Sequence, residues 1–511
     1  MRTGRQAPVF LLALLAAAAP AGADEARALA AAEKHVAAHE KVIVGELREL
    51  LALPNVATSE ADIRANAALL VTMLEKRGIA AKVLETPGAP ASVYGQLTAP
   101  GAKRTILFYA HFDGQPVSPE SAWKSPPFEP TLRGGRLEDG AAAIDWGDAR
   151  YPLPDEARIY GRSSSDDKAP IVAILAAIDA LASAKIPRSA NLKFFLEGEE
   201  EAGSPHLATT FEAHREELRS DLCLFGDGPI DPRGLPRIAL GVRGVVGFRL
   251  TVYGPATSLH SGHYGNVAPN PGVRLAALID SMRADDGRIL VEGLTAPPPD
   301  AQTLELAKTA FDSAGMLASA AVGATETGLE YGESILRPAL NLTQLLYGGA
   351  GGQRNAIDAE ATAGFDVRLV PGMTVEAVHG SVEAHVRKQG YTLLDAPPTA
   401  AERLKYPHLA RIEWGGEGYP SAVSSSSEPA VARVIAVARR ATADEVRVVP
   451  LLGGSLPIAP IRDVLGVPFV ITPTVNADNN QHAPNENLRL REFRRSISFY
   501  AALLAEAGKG W

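Results

Sequence analysis

Phe194–Ser204 reads FFLEGEEEAGS, an apolar run that breaks into Glu197, Glu199, Glu200 and Glu201. The NLKFFL stretch predicts a buried strand, so the glutamates stand at a strand end. Acidic groups this close repel one another unless a positive charge lies among them. Taken alone, the run also reads as a solvated turn. The flanking sequence has to decide.

Upstream, RTILFYAHFDG predicts a second buried strand over Thr105 to Tyr109, whose end carries His111 and Asp113. DDKAPIVAILAAIDALASAKIP then places Ile171, Val172, Leu175, Ile178 and Leu181 at helical spacing. Downstream, HLATTFEAHREEL predicts a helix, and DLCLFGDG a third buried strand ending at Asp227. Strand, helix, strand, helix, strand is the α/β pattern, and polar residues at strand ends line the usual crevice for a site. An opening helix is expected over Glu25 to Leu50, stopped by Pro54.

The middle of the chain has a different texture. VVGFRLTVYG alternates like a half-exposed strand, GPATSLHSGHYG is turn-rich, and a helix is expected near Pro271 to Met282. With NAIDAEATAGFDVRLVPG and VEAVHGSVEAHVRKQG, these predict a smaller α+β domain over 245–415. It is inserted between the two parts of the α/β domain, 24–244 and 416–511. SAVSSSSEP reads as a linker, followed by the helix PAVARVIAVARRA, strands EVRVVP and VPFVITP, and a final helix from Leu490 to Ala507.

Residues 1–23 have a different character: Arg2 and Arg5, an apolar stretch from Val9 to Ala19, and small residues at Ala21 and Ala23. This predicts a secretory signal cut after Ala23, and the apolar stretch is too short to anchor the chain in a bilayer. The chain's only cysteine, Cys223, lies in the apolar LCLF run, reads as a buried core thiol and permits no intrachain disulfide. Export without disulfides points to the periplasm of a Gram-negative bacterium. A formal charge of −9 without a long Lys/Arg cluster argues against a nucleic-acid partner.

The strand-end polar residues form a set: His111, Asp166, Glu201, Asp227 and His482. Two imidazoles and three carboxylates suit zinc or a similar divalent ion. Five side chains hold two ions only if one is shared, and a carboxylate can bridge with its two oxygens. Such a pair of cations would be the positive charge that the glutamate run lacks. Each signal has a plainer reading: DDK as a helix cap, GDGP as a turn, a lone histidine as a structural residue. Their recurrence at the ends of buried runs favours the metal reading.

In order and wording, these motifs resemble the M20 family of di-zinc metallopeptidases over nearly the whole chain after the leader. HFDGQPV is similar to the family's His-x-Asp motif, YGRSSSDDKAP to its Asp-Asp-Lys motif, and FLEGEEEAGS to its Glu-Glu motif. GDG before GVRG, LHSGHYG, FDVRLVPGM, GGSLPI and QHAPNENLR match later landmarks in the same order.

The resemblance implies a zinc-exopeptidase-like α/β domain with a mixed sheet, helices on both faces and an inserted lid and dimerisation domain. It implies two divalent ions, Zn2+ or alternatively Co2+ or Mn2+. His111 and Asp227 would hold one, Glu201 and His482 the other, and Asp166 would bridge. Asp113 would orient His111, Glu200 would act as general base, and Asp166–Asp167 would be a cis peptide. His260 would reach into a neighbouring subunit's site, Arg368 would bind the substrate carboxylate, and Asn270, Gly454 and Ser455 would contact the substrate nearby.

Ser163 and Ala169 stand where the family pattern has glycine, at a cost of about 1 kcal/mol wherever φ must be positive. Glu138 to Ala157 looks like an extra loop that shapes substrate selection. The implied activity is hydrolysis of dipeptides or short peptides with a free C-terminal carboxylate. An N-acyl-amino-acid amidohydrolase and a non-catalytic peptide-binding relative are the alternatives.

Overall fold

The computed structural model describes residues 23–348 and 354–511. The expected leader lies outside the described residues except for Ala23, which opens a helix running Ala23–Leu51. Among the described residues no helix is long and apolar enough to cross a membrane.

Strand Thr105–His111 is central to an eight-stranded mixed sheet. In spatial order the strands are Ala80–Leu84, Ser92–Leu97, Asn191–Glu197, Thr105–His111, Leu222–Phe225, Phe469–Ile471, Arg237–Ala239 and Arg447–Val449. The four from Asn191–Glu197 to Phe469–Ile471 run parallel. Their near-continuous apolar sequence follows from burial on both faces. Along Thr105–His111, Ile106, Phe108 and Ala110 enter the core built with helices Ala23–Leu51, Lys168–Ser183 and Leu490–Glu506. Leu107 and Tyr109 enter the opposite core with Phe211, Ile458 and Ile461. Parallel strands end on the same side, so His111 and the loops after Glu197, Phe225 and Ile471 converge there.

Strand Gly241–Tyr253 passes from this domain into a second sheet. At its start Val242 pairs with Ala422 and Leu452; from Gly244 onward it lies between Glu360–Leu369 and Leu409–Tyr419. Ala339–Leu346 forms one edge of that sheet and Thr392–Leu393 the other. Val246, Phe248 and Leu250 pack under helices Pro271–Met282 and Val375–Lys388, which leaves the alternate side chains on the uncovered face. This is the α+β lid expected from the alternating sequence.

Two expectations need revision. HLATTFEAHREEL forms two short helices, Leu207–Ala213 and Arg215–Leu218, rather than one. SAVSSSSEP is integrated structure and not a linker: Ala422–Val423 is a strand, and buried Ser424 accepts the Phe469 N–H at 2.8 Å through its hydroxyl. The 138–157 loop is tied to the first and last helices. Arg48 lies 4.9 Å over the Trp146 ring, the Leu153 N–H donates to Glu40 at 2.8 Å, and Asp155 pairs with Arg494 at 2.5 Å.

Candidate dinuclear metal centre

The four glutamates of the opening stretch divide by direction. Glu197 hydrogen-bonds the buried Tyr109 hydroxyl, and burial pushes its carboxyl up to about 8. Glu199 accepts the His206 backbone N–H at 3.1 Å and lies 3.0 Å from that ring's Nδ1. Glu200 and Glu201 occupy a short 3-10 turn, Glu200–Ala202, beside His111 and His482. Gly198 allows the approach: a Cβ there would lie 2.5 Å from the Ala91 carbonyl and 2.8 Å from Ile63.

Asp113 fixes this turn as well as His111. Its two carboxylate oxygens accept the backbone N–H groups of Glu200 and Glu201, each at 3.0 Å. His111 Nδ1 lies 3.3 Å from the Asp113 carbonyl and 3.4 Å from its Oδ1. A proton on Nδ1 satisfies these acceptors and leaves Nε2 as the donor atom for a cation.

Asp166 faces two ways. Its Oδ1 lies 3.0 Å from His111 Nε2, and its Oδ2 lies 3.0 Å from His482 Nε2. Glu201 Oε2 is 3.1 Å from the same His482 nitrogen. Two ligand clusters result, His111–Asp166–Asp227 and Asp166–Glu201–His482, with the ligand atoms in each within 4.8 Å of one another. The first is buried, whereas the His482 side chain of the second is 52 % exposed. The five ligands named from the sequence therefore come together with Asp166 common to both clusters.

Among the described residues, no lysine or arginine forms an ion pair with a carboxylate of either cluster. Burial with so little cationic compensation favours the protonated forms of these groups. Burial, reinforced by Asp166 and Glu201, pushes Asp227 up to about 7. Burial also drives Glu200 well above the usual carboxylate range, aided by Asp227 and only partly offset by His111. Hydrogen bonds to Asp166 and Glu201 lift His482 to about 10. Burial would raise Asp166, but its hydrogen bonds with His111 and His482 outweigh that and hold it low. An imidazole and carboxylate set with excess negative charge fits a pair of divalent cations, Zn2+ or a related ion.

Glu486, passed over in the sequence reading of QHAPNENLR, supports the shared ligand from behind. Fully buried, it accepts the backbone N–H groups of Ser163 and Ser165 at 2.9 Å and of Asp166 at 3.0 Å. The Ser165 hydroxyl at 2.9 Å and the Arg162 guanidinium at 2.8 Å complete its partners. Asp166–Asp167 is a cis peptide. Ser163 does adopt the left-handed conformation, φ 60, and its hydroxyl accepts from Asn55 at 2.8 Å; Ala169 lies within helix Lys168–Ser183. The buried Lys168 ammonium donates to the Leu50 and Leu53 carbonyls at the end of the first helix. Asn55 and Lys168 gave no sequence signal beyond their motifs, because their partners are far away in the chain.

The remaining expected residues lie in or beside the lid. Arg368 Nη1 donates to the Ser455 hydroxyl at 2.9 Å, and Gly454 adjoins Ser455 on strand Leu452–Ser455. Asn270 caps helix Pro271–Met282 by accepting from Gly272 and Val273. His260 is exposed and accepts the Gly262 N–H at 3.1 Å through Nδ1, a contact within its own loop.

The model of peptidase family M20/M25/M40 matches residues 107–506. The chain belongs to that family, and its fold is a metallopeptidase fold with two candidate metal-binding clusters. It is 27% identical over 450 residues to the Cys-Gly metallodipeptidase dug1 of Schizosaccharomyces pombe, covering 85% of this chain and 86% of the relative. It is 24% identical over 429 residues to the human Beta-Ala-His dipeptidase, covering 82% and 77% respectively. Among solved structures, the M20 family metallo-carboxypeptidase Sso-CP2 from Sulfolobus solfataricus superposes with a TM-score of 0.73 at 26% identity. That match covers 91% of this chain and 99% of the other.

Because burial favours the protonated forms of these groups, cation uptake should displace protons. Adding Zn2+ to metal-free protein in weakly buffered solution near neutral pH is expected to release about one proton or more per chain. Apparent affinity should fall as pH falls, because protons then compete for the same donors. A pH-stat titration showing saturation of both clusters without proton release would contradict the charge argument.

Proposed function

We propose that this chain is a dinuclear metal exopeptidase that hydrolyses dipeptides or short peptides bearing a free C-terminal carboxylate. The observation that carries this reading is Asp166 shared by two clusters, with Glu200 beside them: Glu200 Oε2 lies 3.8 Å from His111 Nε2. His111 and Asp227 would hold one cation, Glu201 and His482 the other, and Asp166 both. Bound there, the cations supply Lewis acidity, lowering the pKa of a water molecule and polarising the scissile carbonyl.

Glu200 is the general base. Its buried carboxyl accepts a proton from the attacking water and returns it to the leaving nitrogen, so one group serves both transfers. Burial raises the Glu200 carboxyl, which suits a group that takes up a proton, and bound cations would lower it again. Asp113 keeps the Glu200–Glu201 turn and the His111 ring in register. For the substrate's carboxylate, Arg368 offers a planar fork, with Ser455 holding it at 2.9 Å, and Gly454 and Asn270 would contact the same end of the substrate. The dipeptidase and carboxypeptidase names of the relatives support a peptide substrate.

One substrate panel tests these assignments: dipeptides, their C-terminal amides, and N-acyl amino acids, with product masses identifying the broken bond. Glu200→Gln should lose at least about 100-fold in turnover while retaining both metals. Arg368→Ala should penalise free acids far more than amides. Near-normal turnover by metal-loaded Glu200→Gln rules out the base, an equal penalty rules out Arg368, and a strict demand for an N-acyl group replaces exopeptidase by amidohydrolase.

The enzyme is a homodimer through the lid, with His260 completing the partner's site by stabilising the developing oxyanion. The lid's edge strand Ala339–Leu346 leaves Leu342, Leu345 and Leu346 exposed, together with Val267 and Val273 from the His260 side. Such exposed apolar side chains on a strand that is an edge among the described residues support association with a second copy. Mixing inactive His260→Ala with inactive Glu200→Gln should restore roughly one quarter of wild-type activity after subunit exchange, since half the dimers then carry one intact site. Verified exchange without recovery excludes a shared site.

The enzyme is exported, with residues 1–23 as its leader. N-terminal sequencing of protein from the periplasmic fraction should begin at Asp24, and a mature chain retaining Met1 would remove that reading.

A further inference from the structure

The two halves of the centre are held differently. In the first cluster His111, Asp166 and Asp227 are all buried, and packing fixes their positions. The second projects its histidine into solvent from a left-handed backbone position, φ 62 at His482, with further left-handed residues at Asn480 and Asn485. A non-glycine side chain in that conformation is disfavoured and needs anchoring.

Two neutral amides meet this half. Gln115 Nε2 donates to Glu201 Oε2 at 2.9 Å and also approaches the Glu201 carbonyl at 3.4 Å. Gln481 Nε2 donates to Asp166 Oδ2 at 3.0 Å, while its own backbone N–H is tied to Asn479 Oδ1 at 2.9 Å. The two oxygens that receive these amides are the two that face His482 Nε2. Among the described residues, side-chain amide donors to the ligand carboxylates fall only on the oxygens that face His482, one of them on the shared Asp166.

We propose that Gln115 and Gln481 are positioning residues for the second cation: they hold Glu201 Oε2 and Asp166 Oδ2 convergent on His482 and so set the affinity of the exposed site. This rests on the dinuclear reading given above. A carboxylate oxygen has more than one lone-pair direction, so an amide can occupy one and leave another for a cation. A neutral donor suits this place better than lysine or arginine, whose charge would compete electrostatically with the ion. Gln481 has a second effect, because it tethers the residue next to His482 to the shared ligand itself.

The test is a titration of metal-free full-length protein with Zn2+ against a competing chromophoric chelator, on wild type, Gln115→Met and Gln481→Met. Methionine keeps the length and removes the donor, and both positions are half-buried, where such a change leaves the fold intact. Wild type should take up two equivalents. Each variant should bind the first equivalent as wild type does and the second about 10- to 100-fold more weakly, the usual effect of losing a group that orients a metal ligand. Co2+ loading should show the same split in its visible spectrum, with only the second equivalent perturbed. Two unchanged equivalents, or equal weakening of both, overturns the positioning role while leaving the dinuclear reading in place. Wild type that saturates at one equivalent overturns both.

Discussion

An excess of negative charge in a buried space governs this molecule. Asp113, Asp166, Asp167, Glu200 and Asp227 are all buried around His111, and among the described residues no lysine or arginine pairs with the ligand carboxylates. Buried carboxylates without partners either take up protons or attract cations. Burial pushes the Glu200 and Asp227 carboxyls upward, toward the first outcome. The convergence of two clusters on Asp166 prepares the second.

The fold makes that concentration possible. Neighbouring parallel strands deliver His111, the Glu200–Ala202 turn and Asp227 to one end of the sheet. The apolar alternation of each strand then anchors them through two cores. Polar support comes from groups far away in sequence: Asp113 holds the glutamate turn, Glu486 the Arg162–Asp166 loop, and Asn55 the strained Ser163. These supports fix the directions of the ligand oxygens, which burial alone would not do.

The lid shares strand Gly241–Tyr253 with the surroundings of the catalytic sheet, and this ties Arg368 of the lid to Ser455. Gly241–Tyr253 pairs with Leu452–Ser455 at its start and with Glu360–Leu369 further along. Through that strand Ser455 meets Arg368, and the Ser455 hydroxyl also donates to the Gly244 carbonyl at 3.2 Å.

The sequence alone determined the α/β class, the inserted lid, and the set His111, Asp166, Glu201, Asp227 and His482, because strand ends and motif order are local properties of the chain. It also isolated the glutamate run as abnormal. It did not reveal that Glu197 and Glu199 turn to Tyr109 and His206, since side-chain direction at a strand end depends on what packs against it. Nor did it reveal Glu486, Asn55, Lys168, Gln115 or Gln481 as supports, because a glutamine or asparagine in a loop carries no periodicity. The linker reading of SAVSSSSEP failed for the same reason: small polar residues look alike in sequence whether they hang in solvent or, as at Ser424, cap a buried strand. Tertiary structure decided which carboxylate oxygens face which imidazole, and hydrogen bonds between residues hundreds of positions apart set those directions.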